Sequence, residues 1–195
     1  SCLIIGKQVA ESLKFPPGHY QNNTIYVGHP LMPEVYYPLA TFHRFLFEQK
    51  VTEAIRLLMF LGAKTMTVEH EIGWSKEFAG NLSLPIPQAG TILSASTTEK
   101  EKSESSILFR ATLRGSAKPT LPNDLLWYRH EATWRQLAEG RIKFGLQEFS
   151  LVINYMDDYG INADLATKLS NTEISIGGQF QSFKKTKWKI EGVFA

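Results

Sequence analysis

The stretch EFSLVINYMDDYGINADLATKLSNTEISIGGQFQSFKKTKWKIEGVF, from Glu148 to Phe194, alternates apolar and polar residues in four successive runs. A period of two residues is typical of β-strands that bury one face and expose the other. The breaks between the runs are short enough for hairpins, so the stretch predicts a four-stranded antiparallel meander. The apolar residues of the four runs are Phe149, Leu151, Ile153 and Tyr155; Ile161, Ala163 and Leu165; Ile174, Ile176 and Phe180; and Trp188, Ile190 and Phe194.

Residues 39–61 carry the strongest helix pattern. An apolar residue recurs there every three or four positions, which places these residues on one side of a helix. They are Phe47, Val51, Ala54, Leu58 and Leu61. We expect Thr41 to cap the helix N-terminus and Gly62 to end the helix in a left-handed conformation. The opposite side is expected to face water, and it carries Arg44, Glu48, Glu53 and Arg56.

The remaining elements complete an α+β pattern. The alternating strand from Met66 to Ile72 follows the helix, and a short strand at 24–28 precedes it, which suggests a crossover unit. Further strands are predicted at 91–98, 106–114 and 125–129, and a short helix at 133–139. We therefore predict an α+β fold, in which a long amphipathic helix packs on a mainly antiparallel sheet that ends in the C-terminal four-stranded meander. Residues 1–195 are expected to form a single domain.

Composition narrows the function classes. The net charge is +2, from 21 basic and 19 acidic residues, and this balance does not favour a nucleic-acid partner. The lysines at 184, 185, 187 and 189 are expected to protect a strand tip and edge. The single cysteine, Cys2, excludes an internal disulfide, and no run of eighteen apolar residues is present. With no recognisable signal peptide, we expect a cytoplasmic protein, and acylation of Cys2 stays open.

Aromatic residues and histidines are concentrated in one part of the chain, between His19 and Phe47. Aromatic side chains offer contact area, and histidines offer hydrogen-bond donors and acceptors, so this region is a candidate pocket for a planar or acyl ligand. It could equally be the ordinary core between helix and sheet. The predicted ligand-binding residues are Tyr26, His29, Tyr36, Tyr37 and His43.

Catalytic and metal-binding motifs are lacking. The five histidines show no i, i+4 pair and no Cys-x-x-Cys motif accompanies them. His70 shares the parity of the apolar residues of its strand, and a histidine in such a position usually bonds to the backbone. We therefore predict no catalytic residues, no metal and no cofactor.

These observations favour a non-enzymatic binding or interaction module that recognises a partner protein or a small ligand through the aromatic region or a sheet edge. Two alternatives stay open. One is a membrane-acting effector whose amphipathic hairpins assemble or insert, and the other is a hydrolase with a Cys/His site assembled in space. The sequence also leaves membrane contact and homo-oligomerisation open.

Overall fold

The computed structural model describes residues 4–73, 107–156, 159–161, 163–170 and 185–195. The chain divides into two compact units, which are described separately. The first comprises Ser1–Phe47 and Asp157–Phe183, and the second comprises Glu48–Met156 and Lys184–Ala195.

The first unit is built around a small hairpin. Its short helix α1 spans Lys7–Ala10, and strands β1 (Tyr26–Gly28) and β2 (Tyr36–Pro38) pair in antiparallel fashion. A 3-10 turn at Leu39–Thr41 leads directly into the long helix α2, Phe42–Phe60, which begins in this unit and continues through the second.

A four-stranded antiparallel sheet dominates the second unit. Its strands are β3 (Ala63–Ile72), β4 (Ile107–Thr112), β5 (Glu148–Tyr155) and β6 (Thr186–Phe194). Their spatial order is β4-β3-β6-β5, so β6 lies between β3 and β5. Ile190 of β6 is accordingly paired with Val68 on one side and with Leu151 on the other.

The core of the second unit lies between this sheet and its helices. The predicted stripe residues that belong to this unit, Val51, Ala54, Leu58 and Leu61, are inaccessible to solvent, and the alternate residues of β5 and β6 are buried. Helix α3 (Ala132–Phe144) adds the buried side chains of Trp134 and Ala138. The predicted α+β fold, with a long helix and a mainly antiparallel sheet, is confirmed.

The C-terminal meander needs correction in its second strand. The predicted strands at 149–155 and 188–194 are present as β5 and β6, and they pair with each other. The run from Ile161 to Leu165, however, leads into helix α4, Ala163–Ser170. The predicted strand at 174–180 lies outside the described residues. The sheet is completed by β3 and β4, so β6 is a central strand and its lysines do not protect a sheet edge.

Three local predictions were wrong. Thr41 does not cap α2: it belongs to the preceding 3-10 turn Leu39–Thr41, and the hydrogen bond of its hydroxyl is donated to the Pro38 carbonyl. No crossover joins β1 to β3 among the described strands, since β1 pairs with β2 whereas β3 pairs with β4 and β6. Residues 125–129 form no strand and lead into the 3-10 turn Tyr128–His130.

Other local predictions are confirmed. Gly62 ends α2 with φ of 90°, in the left-handed region. The predicted helix at 133–139 is present and extends to Phe144, and Gly145 ends it with φ of 68°. The strand at 106–114 is present as β4. The strand predicted at 91–98 lies outside the described residues.

Candidate functional site

Three tyrosine rings lie against the ring of Phe15 in the first unit. The ring centroid of Phe15 is 5.6 Å from that of Tyr20, 4.8 Å from that of Tyr26 and 6.0 Å from that of Tyr36. These four residues are called the aromatic cluster below. Each of the four residues is half-buried. The centroid separations are typical of aromatic pairs, so Phe15 is the common contact of the three tyrosines.

Backbone contacts fix the position of the cluster. The Lys14 amide donates to the Glu34 carbonyl at 2.7 Å, and the Tyr36 amide donates to the Lys14 carbonyl at 2.8 Å. Lys14 and Val35 therefore form an isolated parallel β-bridge. Because side chains of neighbouring extended segments meet across such a bridge, Phe15 is held beside Tyr36.

The hydroxyl of Tyr26 is also held. It accepts a hydrogen bond from the Gln21 amide at 2.8 Å and lies 2.8 Å from Nδ1 of His19. Since the Gln21 amide is a donor, the hydroxyl can donate its own proton to His19. The Tyr26 ring is thus fixed at its polar end by these two bonds, and it meets the Phe15 ring in an edge arrangement with an interplanar angle of 72°.

Hydrogen bonds from the backbone hold the imidazole ring of His29. Its side chain is 7% exposed, and Nδ1 accepts hydrogen bonds from the amides of Leu31 and Met32, both at 3.0 Å. This arrangement resembles an Asx turn, in which a side-chain acceptor bonds to the backbone amide two residues later in the chain. His29 therefore shapes the connection that follows β1.

Tyr37 joins His29 to the start of α2. Its ring lies 5.9 Å from the His29 ring in an edge arrangement and stacks on Phe45 at 4.9 Å with an interplanar angle of 18°. Burial raises the pKa of the Tyr37 phenol above its ordinary value, because the low-dielectric surroundings disfavour the phenolate.

His43 lies in the core of the first unit and is 4% exposed. Its Nε2 is hydrogen-bonded to the Ile161 carbonyl, and its ring adjoins that of Phe42. Phe42 in turn meets the Tyr159 ring edge-on. This histidine joins the start of α2 to the segment before α4.

The five predicted ligand-binding residues thus fall into three groups according to their contacts. Tyr26 and Tyr36 meet Phe15, Tyr37 lies beside His29, and His43 bonds to the segment before α4. Sequence reasoning did not include Phe15, which joins the two tyrosines. No local signal identifies Phe15, because its place depends on the bridge between residues 14 and 35.

The histidines and cysteine were also considered as metal ligands or as a nucleophile with its base. Within 4–73, 107–156, 159–161, 163–170 and 185–195, no three His, Cys, Asp or Glu side chains are placed to hold a metal ion. His70 bonds through Nε2 to the Gly73 carbonyl at 3.1 Å, which is the backbone bond expected of it. Cys2 lies outside the described residues.

The lysines of β6 are matched by carboxylates. Lys187 pairs with Glu71 at 2.5 Å, and Lys189 pairs with Glu191 at 2.6 Å. The hydrogen bond from Lys189 lowers the pKa of Glu191, and the same contact raises the pKa of Lys189. These pairs lie on the sheet face opposite the buried residues Trp188 and Ile190, so the outer face carries both signs of charge.

Comparison with models of known protein families, with curated proteins and with solved structures finds no match to this chain. Among the described helices, none combines the length and apolar character that crossing a bilayer requires.

Proposed function

We propose that this chain is a non-enzymatic binding module that recognises a partner protein or a small ligand through the aromatic region around the β1–β2 hairpin. The observation that carries the proposal is the aromatic cluster, in which three tyrosine rings lie against Phe15 and all four residues are half-buried. Tyrosine and phenylalanine supply large contact areas at a low cost in side-chain entropy, and they recur as anchors of binding surfaces.

The five predicted residues have two kinds of role in this proposal. Tyr26 and Tyr36 lie on one face of the hairpin, are half-buried and offer contact area to the ligand, whereas Tyr37 lies on the opposite face and packs against Phe45. His29 and His43 are buried, and their hydrogen bonds to backbone groups position the hairpin and the start of α2. Such prior positioning reduces the entropy lost on binding.

The charge around the cluster favours a ligand that is itself largely uncharged. The exposed residues joined by the backbone bond beside the cluster are Lys14 and Glu34, which carry opposite charges. A surface built to attract a strongly charged ligand would present one sign. An apolar or aromatic group is therefore the expected contact, such as a planar small molecule or the apolar side chains of a partner protein.

Two variants that each carry a photo-crosslinking residue test this surface. p-Benzoylphenylalanine replaces Tyr36 in one variant and Phe144 in the other, and each is irradiated in the cells that make the protein. Phe144 is a matched control because it is an aromatic residue of the second unit and is 79% exposed. We expect a defined adduct from position 36 and none from position 144. Equal adducts from both positions would contradict the proposal, and no adduct from position 36 would exclude a partner protein at this surface.

A small ligand would be detected by native mass spectrometry. The purified protein should then retain an added mass that Tyr36→Ala loses while keeping a native circular dichroism spectrum. Retention of the same mass by the variant would place the ligand elsewhere. Release of dye from liposomes by the protein alone would favour the membrane-acting alternative instead.

A further inference from the structure

Strand β5 lies at one edge of the four-stranded sheet, and one side of its backbone faces away from the other strands. The Phe194 amide donates to the Gln147 carbonyl at 2.7 Å. Because hydrogen-bonded pairs alternate along an antiparallel ladder, the odd-numbered residues of β5 bond to β6. The even-numbered residues therefore direct their amides and carbonyls away from the sheet. The Asn154 carbonyl agrees with this direction, since it accepts a hydrogen bond from Nζ of Lys50 at 3.1 Å instead.

The open part of this strand consists of Glu148, Ser150 and Val152 and is called the β5 edge below. Within the described part of the chain, no group bonds to the outward amides and carbonyls of these three residues. The pairing of β5 with β6 is regular and has no bulge, and Glu148 is the only charged residue of β5. A regular strand with unpaired backbone groups is a template on which a further strand can pair.

The opposite edge of the sheet, β4, has the features that prevent such pairing. Its register with β3 shifts between Val68 and Glu69, and it carries the exposed Arg110. Bulges and charged side chains are the usual means by which proteins keep edge strands from pairing with other chains. The centre of β5 has neither, so β5 is the edge of this sheet that is suited to pairing.

Occupied backbone groups bound the β5 edge at both ends. Before it, the Leu146 amide donates to the Gly140 carbonyl at 3.1 Å, and the Leu146 carbonyl accepts from Nη1 of Arg141 at 3.0 Å. After it, the Asn154 carbonyl is bonded to Lys50. An added strand must therefore form its hydrogen-bonded pairs with residues 148, 150 and 152.

We propose that the β5 edge pairs with the β5 edge of a second copy of this chain, in antiparallel fashion and with Ser150 on the two-fold axis. This symmetrical register uses only the three free residues and gives about six backbone hydrogen bonds between the copies. It places Glu148 of each copy opposite Val152 of the other, so no like charges meet across the interface. A two-fold interface brings the same surface of both copies together and requires such self-complementarity.

Exposed apolar side chains at both ends of β5 favour a second copy over an unrelated strand. Leu146 precedes β5 and is 37% exposed, and Met156 follows it and is 50% exposed. The two-fold axis brings the start of one β5 beside the end of the other, so Leu146 of each copy is brought towards Met156 of the other. These contacts add apolar area at both ends of the interface. Because so few residues pair, the interface is smaller than that of a standard stable complex, and we expect a reversible dimer.

Sedimentation velocity of the unaltered protein, over roughly 1 to 200 µM, tests the proposal. The sedimentation coefficient should rise with concentration from that of a monomer to that of a dimer. A protein that stays monomeric throughout would overturn the proposal and leave the β5 edge to a strand of another protein.

The variant Val152→Pro locates the interface on β5. Proline removes the outward amide, and its ring obstructs the added strand, so the dissociation constant of the dimer should rise on the order of 10-fold to 100-fold. The fold should persist, because this amide does not bond to β6 and proline is tolerated at such positions of edge strands. Val152→Thr is the matched control, since it keeps the amide and the branched shape, and it should dimerise as the unaltered protein does. A dimer that Val152→Pro does not weaken would overturn the proposal.

A disulfide between copies tests the register, and it decides even if the proline variant does not fold. In a Cys2→Ser background, Ser150→Cys places two thiols opposite each other on the two-fold axis. The Cα atoms of a hydrogen-bonded antiparallel pair are about 5.5 Å apart, which a disulfide can span. Mild oxidation should then give a covalent dimer on a non-reducing gel. Asn154→Cys is the matched control, because it is equally exposed on the same strand but lies far from its own copy in this register. Equal crosslinking at both positions, or none at position 150, would overturn the proposal.

Discussion

Gly192 shows, at the scale of one residue, how closely the strands of the sheet approach one another. It lies in β6 opposite Met66 of β3 and Phe149 of β5. A Cβ atom at this position would lie 1.9 Å from the Thr65 carbonyl oxygen and 2.7 Å from Cζ of Phe149. A glycine within a strand often indicates a close approach of backbone, and here both neighbouring strands require it.

The substitution Gly192→Ala is therefore expected to destabilise the protein. The added methyl group must displace backbone of β3 as well as an aromatic ring, so we expect the free energy of unfolding to fall by about 1 to 3 kcal/mol. Urea denaturation followed by circular dichroism measures this change. Gly6→Ala is the control, because a Cβ there meets no atom within 4 Å. Equal stabilities of the two variants would contradict the described packing.

Helix α2 shows at the scale of an element what periodicity can and cannot reveal. All five residues of the predicted apolar stripe are buried, because burial of one side of a helix leaves a repeating pattern in the sequence. The helix buries a wider surface than predicted, which also includes Phe42, Leu46, Ile55 and Leu57. The polar side was expected to be solvated, and for Glu53 this was wrong. Its carboxylate holds amides that lie 73 and 75 residues later in the chain. A contact of that sequence separation leaves no local pattern.

The substitution Leu58→Asp tests whether the apolar stripe of α2 is packed in the core. Leu58 is inaccessible to solvent, and a carboxylate there would lie in the core without a partner. Burial of the five stripe residues stabilises the fold by roughly 8 kcal/mol before chain entropy is subtracted, so we expect unfolded or aggregated protein. Size-exclusion chromatography and thermal melting measure the outcome. The control is Phe60→Asp at a position that is 44% exposed, and this variant should stay folded. A normal melting temperature of Leu58→Asp would refute the packing.

At the scale of the whole molecule, the class of fold followed from the sequence, whereas strand partners did not. The strands β3, β4, β5 and β6 each showed a usable alternation, but alternation carries no information on which strands pair. The run at 161–165 was too short to distinguish the two-residue period of a strand from the 3.6-residue period of a helix. Leu165 and Leu169 are four residues apart among good helix formers, and this spacing indicates the helix that the structure contains.

The sequence predicted which residue types form the candidate site, but it did not predict how these residues are arranged. Aromatic residues and histidines were visible between His19 and Phe47, but Phe15 joins the two tyrosines only through the bridge between residues 14 and 35. The roles of His29 and His43 depend on backbone groups that the fold brings to them. The binding function stays a proposal, and the single domain stays a prediction.

The insertion of β6 between β3 and β5 is the central structural claim, because it determines which residues form the core and which form the charged outer face. Cross-strand nuclear Overhauser effects measure it directly. We predict contacts from the backbone protons of Ile190 to those of both Val68 and Leu151. Contacts to only one of these residues, or to residues 174–180 in place of Val68, would contradict the account.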